Sequence, residues 1–472
     1  MKEHADPELE PLAGPVPPQT TVIGSILRSL NSLYHSPRDL WILYTIELFS
    51  MTSMELIIIC MKTYLEDSIG LTENQVALII TFFIFMSAII CIVFGNCIDR
   101  FGVKNTIKVS LFIGIFGFVL LCAVTNKYAV QTIILLFHAP SSALLLGCFK
   151  VGIKHYTLEA ARSLGYSLFY MVLITSSIIA KVLKDWICNP LDNEDILTFR
   201  YIFGVAICFL LVAWFLPYFL RELDFQVSGT TEIVKDDDHG NMWKFVRSVL
   251  ILSSFWRLVR FALLVSFMKA AYSHVYVTMP LYLNVTIEFD AHIEYAFIVH
   301  KMTVLIAIIP LTFLVNFISN FNLVLIGSSI TTLSFAPIIM YEDPTYFRVC
   351  LFVFFLSIGE AIVAPRFIEY AIQIAPKGKE ATFFLIATVP MIIYVIIAGG
   401  ESGRAIKEYC NPANIFNGQG NDCRLVWLII FTITLVSAIL LLSLVKYLRQ
   451  PEIETQKYIS MSKEAKDHQS SQ

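Results

Sequence analysis

Glu47 and Glu55 stand eight residues apart inside one largely apolar run, and Lys150 and Lys154 stand one helical turn apart in another. Further apolar runs carry Lys269 and His274, then His300 and Lys301, then Glu360, Arg366 and Glu369. A charge at the centre of a bilayer costs roughly 2.5–3.5 kcal/mol on insertion scales, so it marks either a function or a buried pair. Eight residues correspond to about 80° around an α-helix, so both glutamates can face one cavity. Glu55, Lys150 and Glu360 fall near mid-span, and Glu47 lies nearer the inside. Lys154, Arg366 and Glu369 lie toward inner ends, where long side chains can snorkel, and His300 and Lys301 sit in an outer half. Carboxylates beside amines can do two kinds of chemistry. They can be structural ion pairs between helices, or they can trade a proton against a charged group of a solute, because a lysine favours the ionised form of a neighbouring carboxyl.

The elements that must position these residues are membrane helices. Of the 472 residues 57% are hydrophobic and only 15% charged, against about 25% charged in a soluble domain, and mean hydropathy is +0.70. A crossing takes about 20 apolar residues. Spans are expected near 40–62, 75–97, 105–125, 129–152, 165–185, 200–220, 253–283, 292–316, 322–341, 347–372, 380–400 and 424–446. The seventh is overlong, and part of it is expected on the membrane surface. The apolar runs are continuous rather than alternating, which excludes β-barrel strands. The expected class is therefore an all-α polytopic membrane protein of about twelve helices.

Loop charges set the expected orientation. With the N-terminus inside, inner loops hold Arg100, Lys104, Lys108, Lys154, Arg162, Lys244, Arg247, Lys377 and Lys379. Outer loops hold Glu66, Asp67, Glu73, Asp192, Glu194, Asp195, Glu288, Asp290, Glu342 and Asp343. Both termini are then cytosolic. The first 38 residues have no apolar signal-peptide region, so the first span is expected to act as its own insertion signal. The sequon Asn284-Val285-Thr286 falls in an expected outer loop and is a glycosylation candidate, and Cys410 and Cys423 share the last outer loop, where a disulfide could form. Net charge is −3, which offers no footprint for nucleic acid, and the ten cysteines show no metal spacing. No cofactor or metal is expected.

A hydrophilic segment, 221–247, carries Asp236, Asp237 and Asp238 and divides the spans six and six. The expected organisation is a cytosolic tail (1–38), a six-helix bundle (39–222), a cytosolic linker (223–250), a second six-helix bundle (251–447) and a cytosolic tail (448–472). That arrangement resembles the major facilitator superfamily, whose substrate site lies at the midplane between halves. The loop after span 2 reads Gly95-Asn-Cys-Ile-Asp99-Arg100-Phe-Gly102-Val-Lys104 and resembles the superfamily's loop signature. Its chemistry suits a gate: Gly95 lets helices approach, Gly102 permits a tight reversal, Asp99 can face a helix N-terminus, and Arg100 and Lys104 can pair with acids or lipid phosphates. The matching loop of the second half, Asn316 to Asn322, has none of the motif's Lys, Arg, Asp or Gly.

Four stretches resemble a branch of that superfamily, the proton-dependent oligopeptide transporter (POT) family. They are Glu47 to Glu55 followed by Leu71 to Ala77, then Gly147-Cys148-Phe149-Lys150, then Gly165 to Tyr170 with the Phe169-Tyr170 pair, and lastly Gly359-Glu360 with Pro365 and Ala375-Pro376 at the family's spacings. The departures are informative. The family's span-1 proton motif, Glu-x-x-Glu-Arg, reads Tyr44-Thr45-Ile46-Glu47-Leu48 here. Glu55 stands where the family has an arginine for the peptide carboxylate, and Ile174 stands for the asparagine after the Phe-Tyr pair. The resemblance implies that Lys150 serves coupling, that Glu360 holds an amino group, and that Lys150 pairs with Glu47 or Glu55.

The expected function is secondary active transport of a small polar solute by alternating access. The solute is amine-bearing or neutral, of peptide or amino-acid kind, and its movement can be proton-coupled. Glu47, Glu55, Lys150, Tyr170 and Glu360 are the expected binding and coupling residues, because three acids against one or two bases disfavour a free peptide carboxylate. A transporter-like sensor, or a structural subunit of a membrane complex, is the alternative. No HExxH, GxSxG or P-loop pattern appears, so no enzyme is expected. The expected partners are a solute, protons and lipid, and the expected state is a monomer in the plasma membrane or an endosomal or lysosomal membrane.

Overall fold

The computed structural model describes residues 22–158, 161–188, 196–221, 242–287, 292–341, 345–376, 378–410 and 422–448. Of the expected loop charges, Asp192, Glu194, Asp195, Asp236 to Asp238, Glu288, Asp290, Glu342, Asp343 and Lys377 lie outside the described residues, as does the tail after Leu448.

The described residues form helices and turns, with no strand among them. The first half comprises α2 (Arg38–Thr63), α3 (Glu73–Ala123), α4 (Lys127–Ile133), α5 (Ala139–Tyr156), α6 (Arg162–Cys188) and α7 (Ile196–Phe215), preceded by a short α1 (Val22–Tyr34). The second half follows a short α8 (Met242–Leu250) and comprises α9 (Ser253–Thr286), α10 (Glu294–Thr312), α11 (Asn320–Leu333), α12 (Ala336–Ile339), α13 (Tyr346–Ile374), α14 (Glu380–Tyr409) and α15 (Arg424–Ser443).

Among the described residues ten helical stretches are long and apolar enough to cross a membrane. One of them, α3, has 51 residues. As a single straight helix it would run about 76 Å at 1.5 Å per residue, against about 30 Å of hydrocarbon. It is two spans, broken at Gly102, whose φ of 79° is a left-handed conformation that costs glycine little. Counting α3 twice and adding α14, whose apolar stretch Glu380–Tyr394 is shorter, makes the expected twelve. The helix starts follow local chemistry. Thr72 and Gln75 form a capping box at the head of α3, and Asn126 accepts from the backbone of Tyr128 and Ala129 at the head of α4. Large apolar side chains such as Phe82, Phe85, Phe112 and Phe116 of α3 stay exposed on the outside of the bundle, as a lipid solvent permits.

One local expectation changes, that of Asn284, and two others gain detail. The region read as a plain N-terminal tail contains the helix α1. The overlong seventh span is one 34-residue helix, and the short α8 precedes it separately. Asn284 is not in a loop but in the last turn of α9, exposed, where Thr286 bonds back to the Tyr282 carbonyl at 2.7 Å and prolongs the helix. Cys410 and Cys423 are joined by a disulfide.

Within the first half α2 packs on α6 and α7, and α3 on α5 and α7; within the second, α11 and α10 pack on α13, and α9 on α14. The halves meet along two seams: α3 against α14, and α6 against α10 and α13. The glycines allow the close approaches. A Cβ on Gly95 would lie 3.3 Å from the Thr382 Cα across the first seam.

Candidate functional site

Polar contacts between the halves form a ladder that starts at one end of the bundle and rises to its middle. At the end, Asp99 accepts from the Ala381 and Thr382 backbone N–H groups, each at 2.8 Å, and from the Thr382 hydroxyl at 2.7 Å. These are the first N–H groups of α14, which have no helical partner and carry the positive end of the helix dipole. Beside them Lys154 pairs with Glu380 at 3.0 Å and donates to the Ile372 carbonyl at 3.2 Å. Lys104 turns to its own half and donates to the Leu220 carbonyl at 2.6 Å.

The next rung is buried. Arg366 pairs with Glu369 at 2.7 Å and donates to the Ser163 carbonyl at 2.7 Å and to the Ser167 hydroxyl. Ser163 donates to Glu369 at 2.5 Å, and Thr312 donates to Ser167 at 2.5 Å. Arg366 is 1% and Glu369 0% exposed. They do not snorkel, because each has its partner inside the protein.

At mid-depth, Tyr170 of α6 donates to Glu360 Oε1 of α13, which joins the halves. His300 Nε2 lies 3.3 Å from Glu360 Oε2, and His300 Nδ1 lies 2.9 Å from Ser357 Oγ. Tyr272 shares a 2.9 Å hydrogen bond with Thr331, and the Tyr276 ring stands edge-on to His300 at 5.5 Å.

The other expected charges gather near this point in two groups. Glu47 is fully buried, neither of its carboxylate oxygens has a hydrogen-bond partner among the described residues, and Lys150 is the cation whose charge acts on it. Lys150 itself lies over the Phe384 ring of the other half at 5.1 Å, a cation–π distance. Lys301 and the Ser177 side chain are the groups that favour the charged form of Glu55. Lys301 lies 5.2 Å from the Tyr276 ring, and Lys269 lies 5.5 Å from the Phe367 ring and acts on Glu360. Lys150 is in ion-pair contact with neither of its two expected partners among the described residues; of the two, Glu47 is the one whose charge acts on it.

Glu47 with Lys150 and Glu360 with Tyr170 are thus brought to the junction of the halves, and Glu55 joins them through Lys301. The ion-pair contact of Glu360 comes from another helix, through His300 of α10. His300, Lys301 and Lys269 belong with the candidate site, although the family resemblance did not point to them. Their signal was present as ionisable residues inside apolar spans, which are functional candidates by default. Ile174, which replaces a family asparagine, packs with Val304, Ile308 and Ala361 in an apolar cluster between the halves. His274 bonds Thr278 at 2.7 Å within α9. Among the described residues no group of three His, Cys, Asp or Glu side chains could hold a metal ion.

The sequence profile of the Major Facilitator Superfamily matches residues 43–398. No curated protein matches the sequence. Among solved structures, the human organic anion transporter MFSD10 (TETRAN) is similar at 14% identity and a TM-score of 0.64, covering 86% of this chain and 99% of its own. The POT family transporter PepTSo is similar at 15% identity and a TM-score of 0.59, covering 87% and 98%. The Major Facilitator Superfamily transporter FucP, in its outward conformation, is similar at 14% identity and a TM-score of 0.63, covering 85% and 98%. Identities this low show a shared fold.

Proposed function

The chain belongs to the Major Facilitator Superfamily, and from that premise we propose that it is a secondary active transporter that moves a small polar solute by alternating access. The observation that carries this reading is the charge cluster at the junction of the halves. Three carboxylates (Glu47, Glu55, Glu360) face three ammonium groups (Lys150, Lys269, Lys301), yet among the described residues no lysine of the cluster stands in an ion pair with one of the carboxylates. Buried charges left apart in this way are costly unless something else uses them.

The solute is amine-bearing or neutral and of amino-acid or peptide size, with Glu360 taking its ammonium group and Tyr170 steadying that carboxylate. Glu47, Glu55 and Lys150 line the same path, and its movement is proton-coupled. Gly95, Asp99, Arg100, Gly102 and Lys104 form the gating loop. Both termini and the Asp99 end are cytosolic, so the ladder closes the inner gate and the solute is met from outside. The protein works as a monomer in the plasma membrane or an endosomal or lysosomal membrane.

The test is uptake into liposomes after a thermal-shift screen of the purified protein against amino acids, peptides, amines and nucleosides, since a ligand specific to the folded state raises its apparent stability. An imposed pH gradient is expected to drive uptake of the hit, and Glu360→Gln to abolish its binding. Normal transport by Glu360→Gln would refute the site. A hit that binds yet never crosses would favour the other reading, a transporter-shaped sensor.

A further inference from the structure

The hydrogen bonds around His300 allow its protons to be counted. Ser357 Oγ donates to the Val353 carbonyl at 2.6 Å, and a hydroxyl has one proton to give. The 2.9 Å contact between His300 Nδ1 and Ser357 Oγ therefore uses a proton on Nδ1. A neutral imidazole carries a proton on one nitrogen only, so Nε2 would be a bare lone pair, 3.3 Å from Glu360 Oε2. The other carboxylate oxygen already accepts from Tyr170. Glu360 Oε2 is buried and has no hydrogen-bond partner among the described residues, so two electron-rich atoms at this distance repel, and one further proton shared by the pair removes the conflict. It sits on Nε2, giving an imidazolium beside a carboxylate, or on Oε2, giving a carboxylic acid that donates to a neutral imidazole.

We propose that His300 and Glu360 form a proton-binding site, and that the bound proton is exchanged one for one against a cationic group of the solute at Glu360. The proposal rests on the transporter reading above and makes it an exchange rather than co-transport. The charge balances. A solute cation approaches Glu360 Oε2, the shared proton leaves to water, and His300 is left neutral with its Nδ1 proton still on Ser357. One positive charge enters the site and one departs.

The surroundings fit this role. The charged and titratable groups that face the pair are Lys301 on its own helix, Lys269, Tyr272 and Tyr276 from α9, Tyr170 from α6, and Glu55 from α2. Neither lysine is in ion-pair contact with Glu360 among the described residues, so the basic side chain nearest its Oε2 among them is His300. Because Tyr170 comes from the first half and His300 and Glu360 from the second, proton occupancy is read where the two halves meet.

Nitrogen NMR on histidine-labelled full-length protein in phosphatidylcholine nanodiscs tests the proton count without a solute, with His300→Gln assigning the signal. The expected result at neutral pH is a protonated Nδ1, together with either an imidazolium signal or an infrared carboxylic-acid band that Glu360→Gln removes. A neutral ring with a bare Nδ1 and a proton on Nε2 would overturn the count. Methylguanidinium, which stays protonated throughout, tests the exchange in weakly buffered solution. Binding is expected to release about one proton per cation by linkage, and His300→Gln to bind the cation without that release. Binding by the wild type with no release, or with proton uptake, would overturn the exchange. The first experiment can fail while transport stands, and transport can fail while the proton count stands.

Discussion

Asp99 holds Thr382 by two hydrogen bonds, to its backbone N–H at 2.8 Å and to its hydroxyl at 2.7 Å, and so ties the turn between the second and third spans to the start of α14 in the other half. Asp99→Asn puts an amide NH₂ where one of two accepting oxygens stood, facing donors. Hydrogen bonds to a charged group contribute about 1.5–3 kcal/mol each. Losing one is expected to shift the balance toward the state open at this end by roughly ten- to a hundredfold. Distances between spin labels on α3 and α14 report the change, and an unaltered distribution would contradict it.

The buried pair Arg366–Glu369, with Ser163 and Ser167 of the other half around it, makes a second prediction. Glu369→Gln leaves a buried guanidinium without its counter-charge and is expected to destabilise the protein by about 3–5 kcal/mol. The unfolding temperature in detergent should fall accordingly. Replacing both residues by methionine removes the uncompensated charge and should recover most of the loss.

Gly359 lets α13 approach α11 next to the central carboxylate. A Cβ there would collide with Thr331 Oγ1 and stand 3.1 Å from the Gly327 carbonyl oxygen. Gly359→Ala is expected to cost about 1–3 kcal/mol by overpacking and to disturb solute binding at the adjacent Glu360. Adding Thr331→Ala should recover part of the stability, because it removes the nearer obstacle and leaves the carbonyl.

Tyr170→Phe removes the hydroxyl that donates to Glu360 Oε1 and keeps the ring. If Glu360 holds an ammonium group, the carboxylate becomes less constrained, and the KM for the amine-bearing solute is expected to rise roughly tenfold for one lost charge-assisted bond. Folding should be unaffected, as judged by the unfolding temperature.

The membrane class, the number of spans and the split into halves were legible in the sequence, because a long apolar run has few stable alternatives in lipid and glycine and charge patterns mark its ends. The loop motif was legible for the same reason: Gly95, Asp99 and Gly102 act through backbone geometry and a helix terminus, which are local properties. The pairing of charges was not. Arg366 and Glu369 looked like inner-end residues, but only the packing of α13 against α6 brings Ser163 and Ser167 around them. Likewise the cation of its own helix nearest in sequence to Glu360, Arg366, pairs with Glu369 instead, and the contact of Glu360 with His300 exists only because α10 lies against α13. Sequence spacing resolves neighbours along one helix. Which charge meets which across two helices depends on their relative rotation and depth, and those are set by the whole packed bundle.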